Sequence, residues 1–246
     1  MTKLPAITAA FWLMKICATT LGETAGDLLS MTLGVGYAAS SLILVSLFAF
    51  SLAAQLAANR YHPLLYWTVI LATSTAGTTM SDYMDRSLGL GYAAGSLVLV
   101  SCLLAILAYW KRTEPSLAVD RIESPRTEAL YWTAILFSNT LGTALGDFLA
   151  DDSGLGFALG ALVIGGLLAT ILAAYFWTSV SKVLLFWCAF ILTRPFGANV
   201  GDVLTKPAAS GGLALGTWGA TAVLGLVLLS AILLATRRES AARSLC

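Results

Sequence analysis

The chain reads as an all-α integral membrane protein. Eight transmembrane helices are expected, from four parallel two-helix repeats with pseudo-symmetry about the membrane normal. Three observations predict this. The 246 residues are 58% hydrophobic and only 11% charged, whereas a soluble domain carries about 25% charged residues, so the chain cannot cover a water-facing surface. Apolar runs of about 20 residues, the length that crosses a bilayer, recur along the whole chain. One polar pattern also returns four times, and a fixed repeat of this kind sets the frame for every other reading.

The pattern begins with an aromatic residue and Trp: Phe11-Trp12, Tyr66-Trp67, Tyr131-Trp132 and Phe186-Trp187. Ten residues after each Trp comes a small residue, and fifteen after it an Asp. The four polar ends run from Gly22 to Asp27, Gly77 to Asp82, Gly142 to Asp147 and Gly197 to Asp202. The apolar runs fall at 6–29, 33–57, 64–83, 89–110, 129–149, 155–178, 184–204 and 212–236. Odd runs carry the Trp and the Asp. Even runs are plainer, and the first three open on Gly34-Val-Gly, Gly89-Leu-Gly and Gly154-Leu-Gly. The fourth copy has a longer connection from Lys206 to Gly212 and a looser opening.

Each unit has an even number of spans, so all copies point the same way, as in parallel-repeat transporters. Ten Lys and Arg residues (Lys3, Arg60, Lys111, Arg112, Arg121, Arg126, Lys182, Arg237, Arg238 and Arg243) fall on one side, and only Arg86 and Lys206 on the other. The positive-inside rule then places both termini and the Trp ends in the cytoplasm. Residues 111–128 form a charged, Pro-containing stretch that reads as a solvated cytoplasmic linker. It divides the chain into repeats 1 and 2 (1–110) and repeats 3 and 4 (129–246). The spacing between copies, 55 residues within each half and 65 across the linker, agrees with that division.

The small residues four apart, such as Gly22 and Gly26, let helices approach closely in lipid. The Phe/Tyr-Trp pairs, with Trp110 and Trp177, are expected as anchors at the membrane interface. Each Asp lies about 22 Å along the helix from its Trp, inside the far boundary of the bilayer. A carboxylate there needs a cation, a donor or water; capping of a neighbouring even helix is the structural alternative. Glu23 lies one turn from Asp27 on the same face. Asn139 occupies the position of Thr19 and Ser74, and repeat 4 has Arg194 there, followed by Pro195, a residue that bends helices. Spacing along helices 1 and 7 sets Glu23 and Arg194 about 6 Å apart in level. If the repeats close around an axis, Arg194 pairs with Glu23 or, failing that, with Asp27.

The remaining signals are weaker. The Gly-x-Gly openings bear a faint likeness to a potassium filter, but no room exists for a pore helix. His62 falls in a connecting loop. Cys17, Cys102, Cys188 and Cys246 show no pairing or metal spacing, and three of them sit in apolar runs. With one His and no Cys motif, haem and soft-metal sites are disfavoured.

The aromatic-Trp pair, the ten-residue gap and the Gly-xxx-Gly-Asp end, four times over, resemble a bacterial family of tandem two-helix-repeat membrane proteins labelled uncharacterised membrane-anchored proteins. The resemblance covers nearly the whole chain. It implies a bacterial inner-membrane location and carries no function.

Function is therefore read from the residues. The expectation is transport of a small solute, preferably a divalent cation such as Mg²⁺ or Mn²⁺. Glu23, Asp27, Asp82, Asn139, Asp147 and Asp202 form an oxygen-rich set suited to such hard ions. Arg194, with Lys15, is expected to balance charge or gate the path, and Asp85, Asp151 and Asp152 to form an acidic outer mouth. No cofactor is expected, the cation being substrate. The expected partners are the lipid bilayer and a small inorganic cation. A homo-oligomer is left open and nucleic acid is excluded, since no basic tract is present. A non-transporting scaffold or sensor acting through the linker is the alternative. An enzyme is not expected, because no nucleophile motif or catalytic His is present.

Overall fold

The structure is a computed structural model describing residues 4–119, 122 and 124–244. Lys3, Asp120, Arg121, Glu123 and Cys246, and the side chains of Arg238 and Arg243, lie outside the described residues. Among those described there is no strand, and eight α-helices follow the eight apolar runs. They are α1 (Ala9–Asp27), α2 (Tyr37–Ala57), α3 (Pro63–Asp82), α4 (Tyr92–Thr113), α5 (Pro125–Asp147), α6 (Gly156–Trp177), α7 (Lys182–Thr205) and α8 (Gly216–Ser244). Five of them, α2, α4, α6, α7 and α8, are long and apolar enough to cross a membrane.

Local chemistry explains where the odd helices begin and end. Thr8, Ser124 and Ser181 cap α1, α5 and α7 through their side chains, and α3 begins on Pro63, a residue whose fixed φ suits the first helical position. After the terminal Asp, α1, α3 and α5 run into π-helical turns, Leu28–Thr32, Tyr83–Ser87 and Phe148–Asp152. The Gly-x-Gly openings then reverse the chain. Both glycines of each pair take positive φ, between 68° and 81°, where a side chain costs about 1–2 kcal/mol. These openings are turns. In repeat 4 the π turn is missing, and Ala214 takes φ 55° two residues before Gly216.

α1 packs against α3 and α7, and α5 packs against the same two, so the four odd helices close a ring. Each even helix lies outside it, on the odd helix of the next repeat: α2 on α3, α4 on α5, α6 on α7 and α8 on α1. The outer faces are apolar. Leu42, Phe50, Leu97, Leu162 and Leu226 are all more than half exposed. The ring interior is polar, which lowers the hydropathy of α1, α3 and α5. This inversion of the soluble pattern fits surroundings of lipid, where no water competes for the outer faces.

The small residues set the ring's diameter. A Cβ on Gly22 would meet Ser74, one on Gly77 the backbone of Asn139, one on Gly142 the Arg194 side chain and one on Gly197 Thr19. Each glycine thus receives the same position of the following repeat, and the last receives the first.

Two expectations are corrected. The Phe/Tyr-Trp pairs are not interfacial anchors. Phe11 contacts Trp67, Tyr66 contacts Trp132, Tyr131 contacts Trp187 and Phe186 contacts Trp12, with ring centroids 5.5–6.4 Å apart. The pairs form a closed girdle inside the Trp end, and Trp67, Trp132 and Trp187 are buried. The physical reason is the two-ring arrangement: helices carrying these pairs are inside, so the aromatics meet one another and not headgroups. Trp110 is buried against Trp187, while Trp177 is exposed. The linker is also not wholly solvated. Val119 and Ile122 are buried with the aromatic core, and the Leu117 carbonyl accepts from Trp187 Nε1 at 3.1 Å. Leu117, Val119 and Ile122 are the apolar side chains that pack there. Glu128, buried at the start of α5, accepts from Gln55 Nε2 at 3.1 Å.

Candidate functional site

The polar interior of the ring is built in levels, because the same helix positions recur in each repeat. At the Asp end, Asp27, Asp82 and Asp147 are the last residues of α1, α3 and α5, and Asp202 stands one turn from the end of α7. All four are buried. α2, α4 and α6 begin without a side-chain cap, and the aspartates are ion-paired. Arg86 bridges Asp82 at 2.9 Å and Asp147 at 3.0 Å. Lys206 bridges Asp202 at 3.2 Å and Asp27 at 3.4 Å. The two cation side chains are 32% and 24% exposed and the carboxylates 3–6%, so the cations form the rim and the acids the floor. Burial alone would lower the pKa of Lys206, but the Asp202 and Asp27 carboxylates override it and hold the ammonium above its usual value.

Sequence reasoning noticed Arg86 and Lys206 only as exceptions to the charge asymmetry. The signal that could have placed them was their spacing. Each stands four residues after its Asp, one turn on the same face, and in the other two copies that position is Met31 and Asp151.

One level deeper lie Glu23 and Arg194, paired at 2.9 Å as the helix spacing predicts. Arg194 is fully buried, and its Nη2 donates to the other three inner helices. It reaches Glu23 Oε2 on α1, Thr78 Oγ1 on α3 at 2.6 Å and Thr143 Oγ1 on α5 at 2.8 Å. The guanidinium therefore lies across the ring axis. Pro195 sits within α7, and Asn199 Nδ2 donates to its carbonyl at 3.0 Å.

Below Arg194, toward the Trp end, Lys15 reaches from α1 across to Asn139 on α5, Nζ to Oδ1 at 3.5 Å. Asn139 Nδ2 donates to Thr73 Oγ1 at 2.9 Å. Lys15 Nζ also lies 4.0 Å from the centre of the Phe190 ring. The aromatic girdle closes the ring beneath it.

The six-residue oxygen set is thus divided. Glu23, Asp27 and Asp202 each bring one carboxylate oxygen within 4.8 Å of the other two, close enough to share an ion. Asp82 and Asp147 pair with Arg86, and Asn139 bonds to Lys15. Asp85 is corrected as part of an acidic mouth: it is buried, accepts from Ser81 Oγ at 3.1 Å and lies against Gly95, where a Cβ would clash. The π turn rotates it inward, while Asp151 and Asp152 stay exposed. In all, Glu23, Asp27, Asp82, Asp147 and Asp202 face Lys15, Arg86, Arg194 and Lys206, leaving one carboxylate in excess.

No curated protein and no solved structure matches this chain. A family described as a repeat of unknown function matches at residues 10–61, 65–116, 130–181 and 185–241. Each match takes in one inner helix and the outer helix that follows it. The four matches cover most of the chain and all four carboxylate ends, and the chain therefore belongs to the DUF347 repeat family.

Proposed function

We propose that this protein moves a small cation, divalent by preference, along the axis of the inner ring. In this reading all eight helices cross the bacterial inner membrane, with pseudo-symmetry about the membrane normal and the Trp end and both termini cytoplasmic. The observation that carries it is the convergence of Glu23, Asp27 and Asp202 oxygens within 4.8 Å inside the ring. Three carboxylate oxygens suit Mg²⁺ or Mn²⁺. Lys206 acts as a tethered stand-in, its ammonium leaving Asp27 and Asp202 when a cation enters. Arg194 holds Glu23 and blocks the axis, so it is the gate, and the aromatic girdle is a second closure on the cytoplasmic side.

The test is reconstitution in liposomes loaded with a divalent-ion indicator. Wild-type protein is expected to pass Mn²⁺ or Mg²⁺, and Asp27→Asn with Asp202→Asn to abolish the flux while the fold is kept. Folded, inserted protein that passes neither ion would overturn this reading. One observation favours a non-transporting scaffold: Asp27, Asp82, Asp147 and Asp202 are all buried and already paired, as packed structural acids would be. Absent flux together with a protein partner that requires residues 111–128 would support it.

A further inference from the structure

The ring holds one charged group with no opposite charge beside it. Lys15 is fully buried. Its ammonium carries three donors and makes one long hydrogen bond, to Asn139 Oδ1, and one ring-face contact, to Phe190. Among the described residues no carboxylate pairs with it. Glu23 and the four repeat aspartates lie on the Asp side of Arg194, Glu23 already balances Arg194, and Glu128, at the start of α5, accepts from Gln55. An unpaired ammonium in a low-dielectric interior is strongly disfavoured without a counter-ion.

The neighbouring groups share the deficit. Thr19, Ser74, Asn139 and Arg194 form one level, since each faces the first glycine of the preceding repeat. Lys15 joins that level through Asn139 and lies over Phe190, one turn before Arg194 on α7. At this level Arg194 Nε and Nη1 and Ser74 Oγ are buried without any partner. Asn139 Oδ1 accepts from Lys15 Nζ, and the Thr19 hydroxyl donates to backbone carbonyls, Ile16 at 2.9 Å and Thr193 at 3.2 Å. What is left is a cluster of unmatched N–H and O–H donors with one surplus positive charge.

We infer that Lys15, Arg194 and Ser74 bind one small monoanion of halide size at the level of Asn139. A single negative charge cancels the Lys15 charge, and a spherical ion can accept from all three groups. Ser74, Asn139, Arg194 and Thr19 are seated tightly on Gly22, Gly77, Gly142 and Gly197, and helices packed this closely exclude a larger anion. This site goes beyond the transport proposal and does not rest on it. The anion makes the middle of the ring neutral while the cation cluster stays one level above.

Equilibrium dialysis of the purified full chain in detergent against radiolabelled chloride tests this, at constant ionic strength with gluconate as the replacement anion. Dialysis continues until the bound count is constant. One saturable chloride per wild-type chain is expected, displaced by bromide and not by gluconate, and none in Lys15→Met. Ser74→Ala serves as the second variant should Lys15→Met fail to fold. It should weaken binding about tenfold, the effect of losing one hydrogen bond to a charged group. No saturable chloride in the wild type means that water or a neutral amine satisfies the level, and the inference falls. It falls equally if Lys15→Met or Ser74→Ala binds chloride as the wild type does. The measurement uses no gradient, so its failure leaves the transport test untouched, and the reverse holds.

Discussion

Arg194 touches more of the inner ring than any mechanism of simple packing requires. One nitrogen meets acceptors on α1, α3 and α5, so a single side chain on α7 ties all four inner helices at one level. Removing one partner of a buried pair typically costs about 3–5 kcal/mol, because the other charge is left behind. Glu23→Gln and Arg194→Gln are each expected to destabilise by roughly that amount. The double substitution should cost clearly less than the two added together, since neither charge is then stranded. Reversible unfolding in mixed detergent measures all three. Additive losses would mean that the pair is not coupled. Residual destabilisation in the double variant is expected too, from Thr78 and Thr143, which lose the guanidinium they now contact.

At the scale of elements, the glycines decide how closely inner helices approach. A Cβ at Gly77 would stand 2.9 Å from the backbone of Asn139 and Thr140. Backbone cannot rotate away as a side chain can. Gly77→Ala should therefore push α3 from α5 and destabilise by about 1–3 kcal/mol, the usual cost of overpacking. Gly166, on the outer face of α6, has nothing within 4 Å. Gly166→Ala should leave stability unchanged or raise it by up to about 1 kcal/mol through helix propensity. Equal effects from the two would remove close approach as the explanation. The turn before α8 offers the opposite case. Ala214 sits at φ 55°, and Ala214→Gly should stabilise by about 1 kcal/mol, since left-handed backbone costs a side chain about that much. A midpoint that does not rise in the same unfolding assay would show that this turn is unstrained.

For the whole molecule, the two bridging cations give the ring an unequal pattern. Arg86 clamps α3 to α5 and Lys206 clamps α7 to α1, whereas among the described residues no such bridge joins α1 to α3 or α5 to α7 at the Asp end. At the Trp end the Tyr66 and Tyr131 hydroxyls bond at 2.8 Å, again joining α3 to α5; Phe11 and Phe186 have no hydroxyl to do the same. Both bridged seams, α3 to α5 and α7 to α1, thus join one sequence half to the other. The proposed orientation is tested with cysteines in a background lacking the native ones. Thr113→Cys should label only from the cytoplasm, and Asp152→Cys only from outside. Labelling of Thr113→Cys from the external side would reverse the molecule in the membrane.

The sequence by itself determined the eight helices, the four copies and the Glu23–Arg194 pair. These follow from run length, spacing and helix rise, which are local quantities, plus closure of equal units around an axis. It also marked the Gly-xxx-Gly faces, because small residues at one-turn spacing have few uses besides close packing. Only the tertiary structure decided which helices lie inside. That choice turned the aromatic pairs from interfacial anchors into a buried girdle, because their surroundings depend on the neighbouring ring and not on depth along a helix. It also divided the acidic residues. Equal spacing makes Asp27, Asp82, Asp147 and Asp202 look equivalent, and the sequence places Arg86 and Lys206 near them without saying which second Asp each reaches. Those partners lie 61 and 179 residues away, and only packing brings charges so far apart in the chain within reach of one another.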